Sequence, residues 1–237
     1  MITLWNILFY QPLYNALVFF VGFLPHNSLF LAVVLLTVIV RFIISPLSYK
    51  VVKTQIKNKL IEPELREIKK IKDKQEQAKK TLEIYRREGI NPFSSFFLLL
   101  IQFPIIIALY LVFRDGGIEI NTDLLYSFVD NPGFVNAHWI IDFSKKNLIL
   151  AFFVGVTQYI YMHRSNKVNQ PTLTNDSTDQ EKVMALMNGF MKYIIPGMLM
   201  IFSYVIGPEV SVYWVTSNLF MIIQELIFHK KLLKKQA

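Results

Sequence analysis

Cysteine is absent from the 237 residues. That excludes disulfides, thiolate metal sites, a cysteine nucleophile and a cysteine-linked lipid anchor. Lys and Arg are absent from residues 1–27, so the basic start of a secretory signal is missing, and no small-residue cleavage site follows it. No Asp falls within any long apolar stretch, which removes the paired aspartates of an intramembrane protease. The sequence also has no Gly-rich phosphate loop, no Gly-x-Ser-x-Gly turn and no His-Glu-x-x-His. Its four histidines, His26, His138, His163 and His229, are scattered over span ends and loops without metal-ligand spacing. The expectation is a protein that is not an enzyme and uses no cofactor and no metal.

What is present is apolar. Hydrophobic residues make up 53% of the chain, too many for an ordinary soluble domain, and several stretches approach the length of a membrane-crossing helix. The expected fold class is an all-α polytopic membrane protein. Lys and Arg total 25 against 17 Asp and Glu, for a net charge of +8. In a membrane chain the placement of that charge carries more information than its sum, and no DNA partner is expected.

Residues 1–27 place Trp5, Leu8, Phe9, Leu13, Leu17 and Phe20 at helical spacing, interrupted by Asn6, Gln11 and Asn15. They read as an N-terminal amphipathic helix lying in the membrane interface; an extra span, kinked at Pro12, is the rival reading. Span 1 is 28–47. Residues 48–90 carry thirteen Lys and Arg and seven acids, with a thin apolar seam of helical period, and read as a helical hairpin turning near Asp73–Gln77. Span 2 is 93–113, followed by the acidic loop 114–146, span 3 at 147–163 and the polar segment 164–182. Span 4 is 184–205, broken at Pro196-Gly197, and span 5 is 210–228 after the Gly207-Pro208 turn. The basic tail is 229–237. The positive-inside rule places 48–90, 164–182 and the tail in the cytosol and 114–146 outside. That gives five spans, with the N-terminus outside and the C-terminus in the cytosol.

One residue breaks the lipid-like pattern. Arg41 follows an apolar run from Leu29 to Val40 that is interrupted only by Thr37, which puts it roughly 18 Å along the helix in a hydrocarbon core about 30 Å thick. A charge at that depth costs about 2.5–3.5 kcal/mol even on the lenient insertion scale. Thr37, Arg41 and Ser45 share one helix face. The stripe reads as the wall of a hydrated cavity, and the competing reading is an arginine that snorkels to the surface. Gln102, Gln158, Ser217, Asn218, Gln224 and Glu225 also sit at depth in their spans. For each alone, helix-to-helix hydrogen bonding competes with a shared polar chamber. Ser217 to Gln224 and Asn218 to Glu225 make two adjacent rows on span 5. Glu225 either neutralises Arg41 across the chamber or lies at the cytosolic rim in water.

Five segments in order carry a resemblance to a known family: TVIVRFIISPL (37–47), EIYRREGINPFSSFFLLLIQFPIIIALYLVF (83–113), GVTQYIYM (155–162), MKYIIPGMLMIF (191–202) and VYWVTSNLFMIIQE (212–225). Together they resemble the YidC/Oxa-type membrane protein insertases over nearly the whole chain. The resemblance implies five transmembrane helices around a hydrophilic groove open to the cytosol and to lipid. It puts the groove arginine at Arg41 and adds Tyr213 and Trp214 to the groove set. It implies substrate contact along spans 2 and 4, and a cytosolic hairpin that recruits a ribosome or targeting factor. Nascent membrane proteins and the lipid bilayer are the implied partners, with the Sec translocon as a possible one, in the bacterial cytoplasmic membrane. Glu225 departs from the family's usual glutamine, and the hairpin is shortened at its turn. The expected function is insertion of nascent membrane proteins; the alternative is a small anion transporter or channel built on Arg41, which would call for internal repeats of span pairs.

Overall fold

The computed structural model describes residues 2–71, 73–90, 105–108, 110–111, 120–138, 140–166 and 179–233. Among these residues the regular structure is helical, and the only β-type contact is an isolated bridge between Ser28 and Asn136. The chain opens with α1 (Ile2–Trp5), a π turn over Asn6–Tyr10 and α2 (Gln11–Phe23) in one continuous run. The wider π turn comes immediately before Pro12, whose ring would collide with the carbonyl of Leu8 in a regular α-helix. Tyr10, Tyr14, Leu17, Val18 and Val21 recur every three or four residues and are buried against Leu29, Ala32, Val33 and Leu36.

Between α2 and the next helix the chain reverses through His26 and Asn27, both with positive φ (60° and 49°). Asn27 offsets the strain by donating its amide to Pro132 O (3.3 Å) and Phe134 O (3.1 Å). A second tether lies further up α2. The buried Asn15 amide donates to Gln11 O (2.8 Å) and Leu124 O (2.9 Å), and its Oδ1 accepts from Tyr126 N (2.6 Å). Asn15→Ala leaves the Leu124 carbonyl and the Tyr126 amide without these partners. It is expected to cost about 2–4 kcal/mol and to lower the apparent Tm by roughly 5–10 °C, as read by thermal melting in nanodiscs.

The helix α3 (Leu29–Lys69) holds 41 residues, about 60 Å at 1.5 Å each, or about twice a hydrocarbon core. Ser28 caps its start by accepting from Leu31 N. Where the sequence suggested a first span ending at 47, α3 continues without interruption through Pro46 and Pro63. The chain reverses between Lys70, the C-cap of α3, and Asp73, whose Oδ1 caps α4 (Lys74–Arg87) by accepting from Gln75 N. Ile61, Ile68, Ile84 and Ile90 form the seam between the two arms. Arg87 grips Glu64 with both Nη atoms across it, which holds the Glu64 carboxyl below its usual range. At the far end Gly89 adopts φ +60°, and Ile90 N donates to Tyr85 O (2.8 Å), the Schellman closure that favours glycine.

Three more helices follow: α5 (Leu148–Asn166), α6 (Asp179–Ile206) and α7 (Pro208–Leu233). α5 and α6 are antiparallel: Tyr159 meets Tyr193 (5.9 Å between rings), and a Cβ at Gly155 would come within 3.2 Å of Met200 Cβ. The expected break at Pro196 is absent, and α6 is one helix. α3 and α7 run in the same direction, with Phe42 on Phe220 (5.0 Å) and Tyr49 on Phe228 (5.1 Å). Of span 2 the structure describes residues 105–108 and 110–111, which are helical, with Ile105 and Ala108 buried. By length and composition, three helices among the described residues can cross a membrane: Asn6–Phe23, Leu29–Ile68 and Pro208–Leu232.

Candidate functional site

The polar residues of α3, α5 and α7 meet between these helices. Arg41 is only 8% exposed. Its Nε donates to Ser217 Oγ at 2.7 Å, and its Nη2 reaches the same oxygen. A hydroxyl oxygen has two lone pairs, so it can serve both donors. Both residues are mid-helix, so the guanidinium crosses from α3 to α7 and does not run along α3 to its end. One turn further, Ser45 Oγ accepts from Gln224 Nε2 at 2.8 Å. Both pairs advance in the same direction along α3 and α7, as parallel packing requires.

On its other side α7 meets α5. Asn218 is fully buried, and its Nδ2 donates to Thr157 Oγ1 at 3.2 Å. Seven residues along each helix stand Glu225 and Arg164, within electrostatic reach of one another. Glu225 is buried, and its Oε2 has no hydrogen-bond partner among the described residues. The Arg164 Nε is likewise buried without one. The α7 end is otherwise cationic: Arg164 and Lys59 lie within electrostatic reach of His229. Glu225 is therefore buried rather than at an open rim, within electrostatic reach of Arg164, and both it and Arg41 lie within electrostatic reach of Tyr161.

The other expected residues are placed as follows. Thr37 is buried, but its hydroxyl returns to Val33 O (2.6 Å) in its own helix. Gln158 is buried on α5. Tyr213 joins the apolar cluster with Leu36 and Ile105, and Trp214 the one with Val154 and Val210. Gln102 lies outside the described residues. Among the described residues, no His, Asp and Glu side chains gather as a metal site.

Residues 20–235 of this chain, containing every element of that arrangement, match the 60Kd inner membrane protein family. The chain belongs to this family. Among relatives in the 60Kd inner membrane protein family, the membrane protein insertase YidC of Oceanobacillus iheyensis is 26% identical over 98% of this chain and 86% of its own. That of Clostridium tetani is 29% identical over 90% and 86%. That of Tolumonas auensis is 31% identical over 95% of this chain and 37% of its own length, so it carries a large part with no counterpart here.

Two site members went unnamed in the sequence reading: Thr157 and Arg164. Their signal was the seven-residue spacing on α5 that repeats the Asn218–Glu225 spacing on α7. Ser45 was seen as part of a stripe, without the glutamine that fixes its direction.

Proposed function

We propose that the chain is a membrane protein insertase that moves short hydrophilic segments of nascent membrane proteins across the bilayer and releases their apolar segments into lipid. The observation that carries the reading is a buried arginine held by a serine across two parallel apolar helices, in a chain whose family relatives are named insertases. The rest of the architecture belongs to the same proposal. Five helices cross the inner membrane with the N-terminus outside, and the buried polar cluster of Arg41, Ser217, Asn218, Gln158 and Gln224 forms the floor of a groove open to the cytosol. The hairpin of α3 and α4 meets a ribosome or targeting factor, and the Sec translocon can stand beside the groove.

The physical logic needs no nucleotide. A carboxylate crossing hydrocarbon meets about 2.5–3.5 kcal/mol on the insertion scale. A fixed cation about 4–8 Å away returns roughly 2–4 kcal/mol at an effective dielectric of 20. The apolar segment that follows leaves water for lipid at roughly 25 cal/mol per Å², and the membrane potential favours outward movement of negative groups.

α2 lies in the interface in this reading. Were Asn6–Phe23 a span, Asn15 would sit near the midplane with the irregular backbone of 121–126 bonded to it. Lipid-exposed irregular backbone is not tolerated at that depth.

The test is reconstitution into liposomes. A single-span client with an acidic N-terminal tail, translated in vitro, should gain protease-protected tail in proteoliposomes several-fold over empty liposomes. Equal protection in both would sink the proposal. Chloride or phosphate release from the same vesicles, with no protected tail, would instead favour an anion channel.

A further inference from the structure

The loop 120–147 carries charge of both signs, Asp123, Asp130 and Asp142 against Lys145 and Lys146. Yet it leaves Phe128 75% and Phe134 62% exposed. In water, each such ring would forfeit about 1.5–3 kcal/mol of available burial. Large apolar exposure at fixed, tethered positions marks a surface that something covers.

The tethers say at what level the rings sit. Leu29 N donates to Asn136 O (3.1 Å), and Asn136 N donates to Asn27 O (2.9 Å). Asn27 also holds the carbonyls of Pro132 and Phe134. Phe134 is therefore fixed beside Leu29, the first residue of the apolar run that enters the membrane. Pro132 lies 3.4 Å from where a Gly22 Cβ would be, next to Phe23, itself 75% exposed. Phe23 stacks on the exposed Phe19 (6.2 Å, 3° between planes). Phe128 is set two residues beyond Tyr126, whose backbone is bonded to Asn15.

We infer that Phe128 and Phe134, together with Phe19 and Phe23, form an apolar wedge that inserts into the outer leaflet at the headgroup–acyl boundary and fixes the loop and α2 there as one platform. Lipid is the occupant that the chemistry selects. Residues 1–27 contain no charged side chain, and the exposed surface of this stretch continues through Leu4, Ile7 and Leu8. A protein partner would want a polar rim around such a patch; a bilayer interface wants aromatic and aliphatic side chains without charge. With three acids against two lysines the loop is close to neutral, so the insertion is apolar and insensitive to headgroup charge. Together the tethers and the wedge would keep the non-cytosolic ends of α3 and α7 covered while the other end stays open.

The inference rests on the insertase reading only in placing this loop on the outer side. The chain's lack of cysteine makes the test direct. Single variants Phe128→Cys, Phe134→Cys and, as the aqueous reference, Asp130→Cys are spin-labelled in proteoliposomes. Collision with oxygen and with a water-soluble nickel chelate is then measured. Labels at 128 and 134 should collide with nickel at least threefold less than the label at 130, and with oxygen more. Replacing anionic by zwitterionic lipid should leave both ratios unchanged. Nickel accessibility at 128 and 134 equal to that at 130 overturns the wedge, as does burial that appears only with anionic lipid. No client is needed, so a protein that fails to insert clients but buries both labels refutes the insertase reading alone. Normal insertion with both labels in water refutes the wedge alone.

Discussion

Charge reversal at Arg41 is expected to lower insertion of an acidic-tailed single-span client by at least tenfold, with Arg41→Lys retaining most of the activity. Tenfold is about 1.4 kcal/mol. That is less than the roughly 2–4 kcal/mol that one cation at close range supplies to a desolvated carboxylate, and reversal turns attraction into repulsion. The fold should survive, because Ser217 is a hydroxyl. It accepts from Arg41 in the wild type, and it can donate to the introduced carboxylate. Lysine keeps the charge and loses the fork that reaches Ser217 with two nitrogens. Protease protection of the client tail in proteoliposomes checks the activity, and melting of the same preparations checks the fold. Wild-type insertion by a folded Arg41→Glu protein would remove electrostatics from the mechanism and leave hydration alone.

The second large effect concerns α5 and α7. Arg164→Ala takes away the cation that faces the buried Glu225 carboxylate. Breaking a fully buried pair costs about 3–5 kcal/mol. Because Arg164 is only half-buried and acts on Glu225 through the field, with no hydrogen bond to its Oε2, about 1–2 kcal/mol is expected here, or roughly 2–8 °C in apparent Tm for a chain of this size. Glu225→Gln removes the charge that needs compensation, so Arg164→Ala with Glu225→Gln should recover at least half of the loss. Additive losses in the double variant would mean that the two side chains do not communicate. The same cycle bears on insertion, since glutamine is what the resemblance leads one to expect at position 225.

Arg41 was conspicuous in the sequence because a charge inside an apolar run is rare enough to need a reason. The residues of α7 were legible because their seven-residue spacing survives any reasonable choice of helix boundary. What no periodicity could reveal was pairing over long separations. Asn15 with Leu124 and Tyr126, and Ser45 with Gln224, are joined across more than a hundred residues. Thr37 shows the limit of face arguments. It shares a stripe with Arg41, yet its hydroxyl satisfies Val33 O on its own helix, as Thr often does. Span 1 was read to end at 47, just past Pro46, and span 4 to break at Pro196-Gly197, where proline removes a ladder bond. Tertiary packing on α7 and α5 keeps α3 and α6 helical through them.

The single-piece build of α3 has a mechanical corollary. Within α3, a rod about 42 Å long joins the basic tip near Lys69 to the guanidinium at Arg41. It has missing ladder bonds only at Pro46 and Pro63, and Tyr49 and Phe228 brace it on the tip side of Pro46. Whatever grips the tip therefore works a lever. One of its two proline joints lies five residues from the charge, so force at the tip would arrive as a change of tilt beside Ser217.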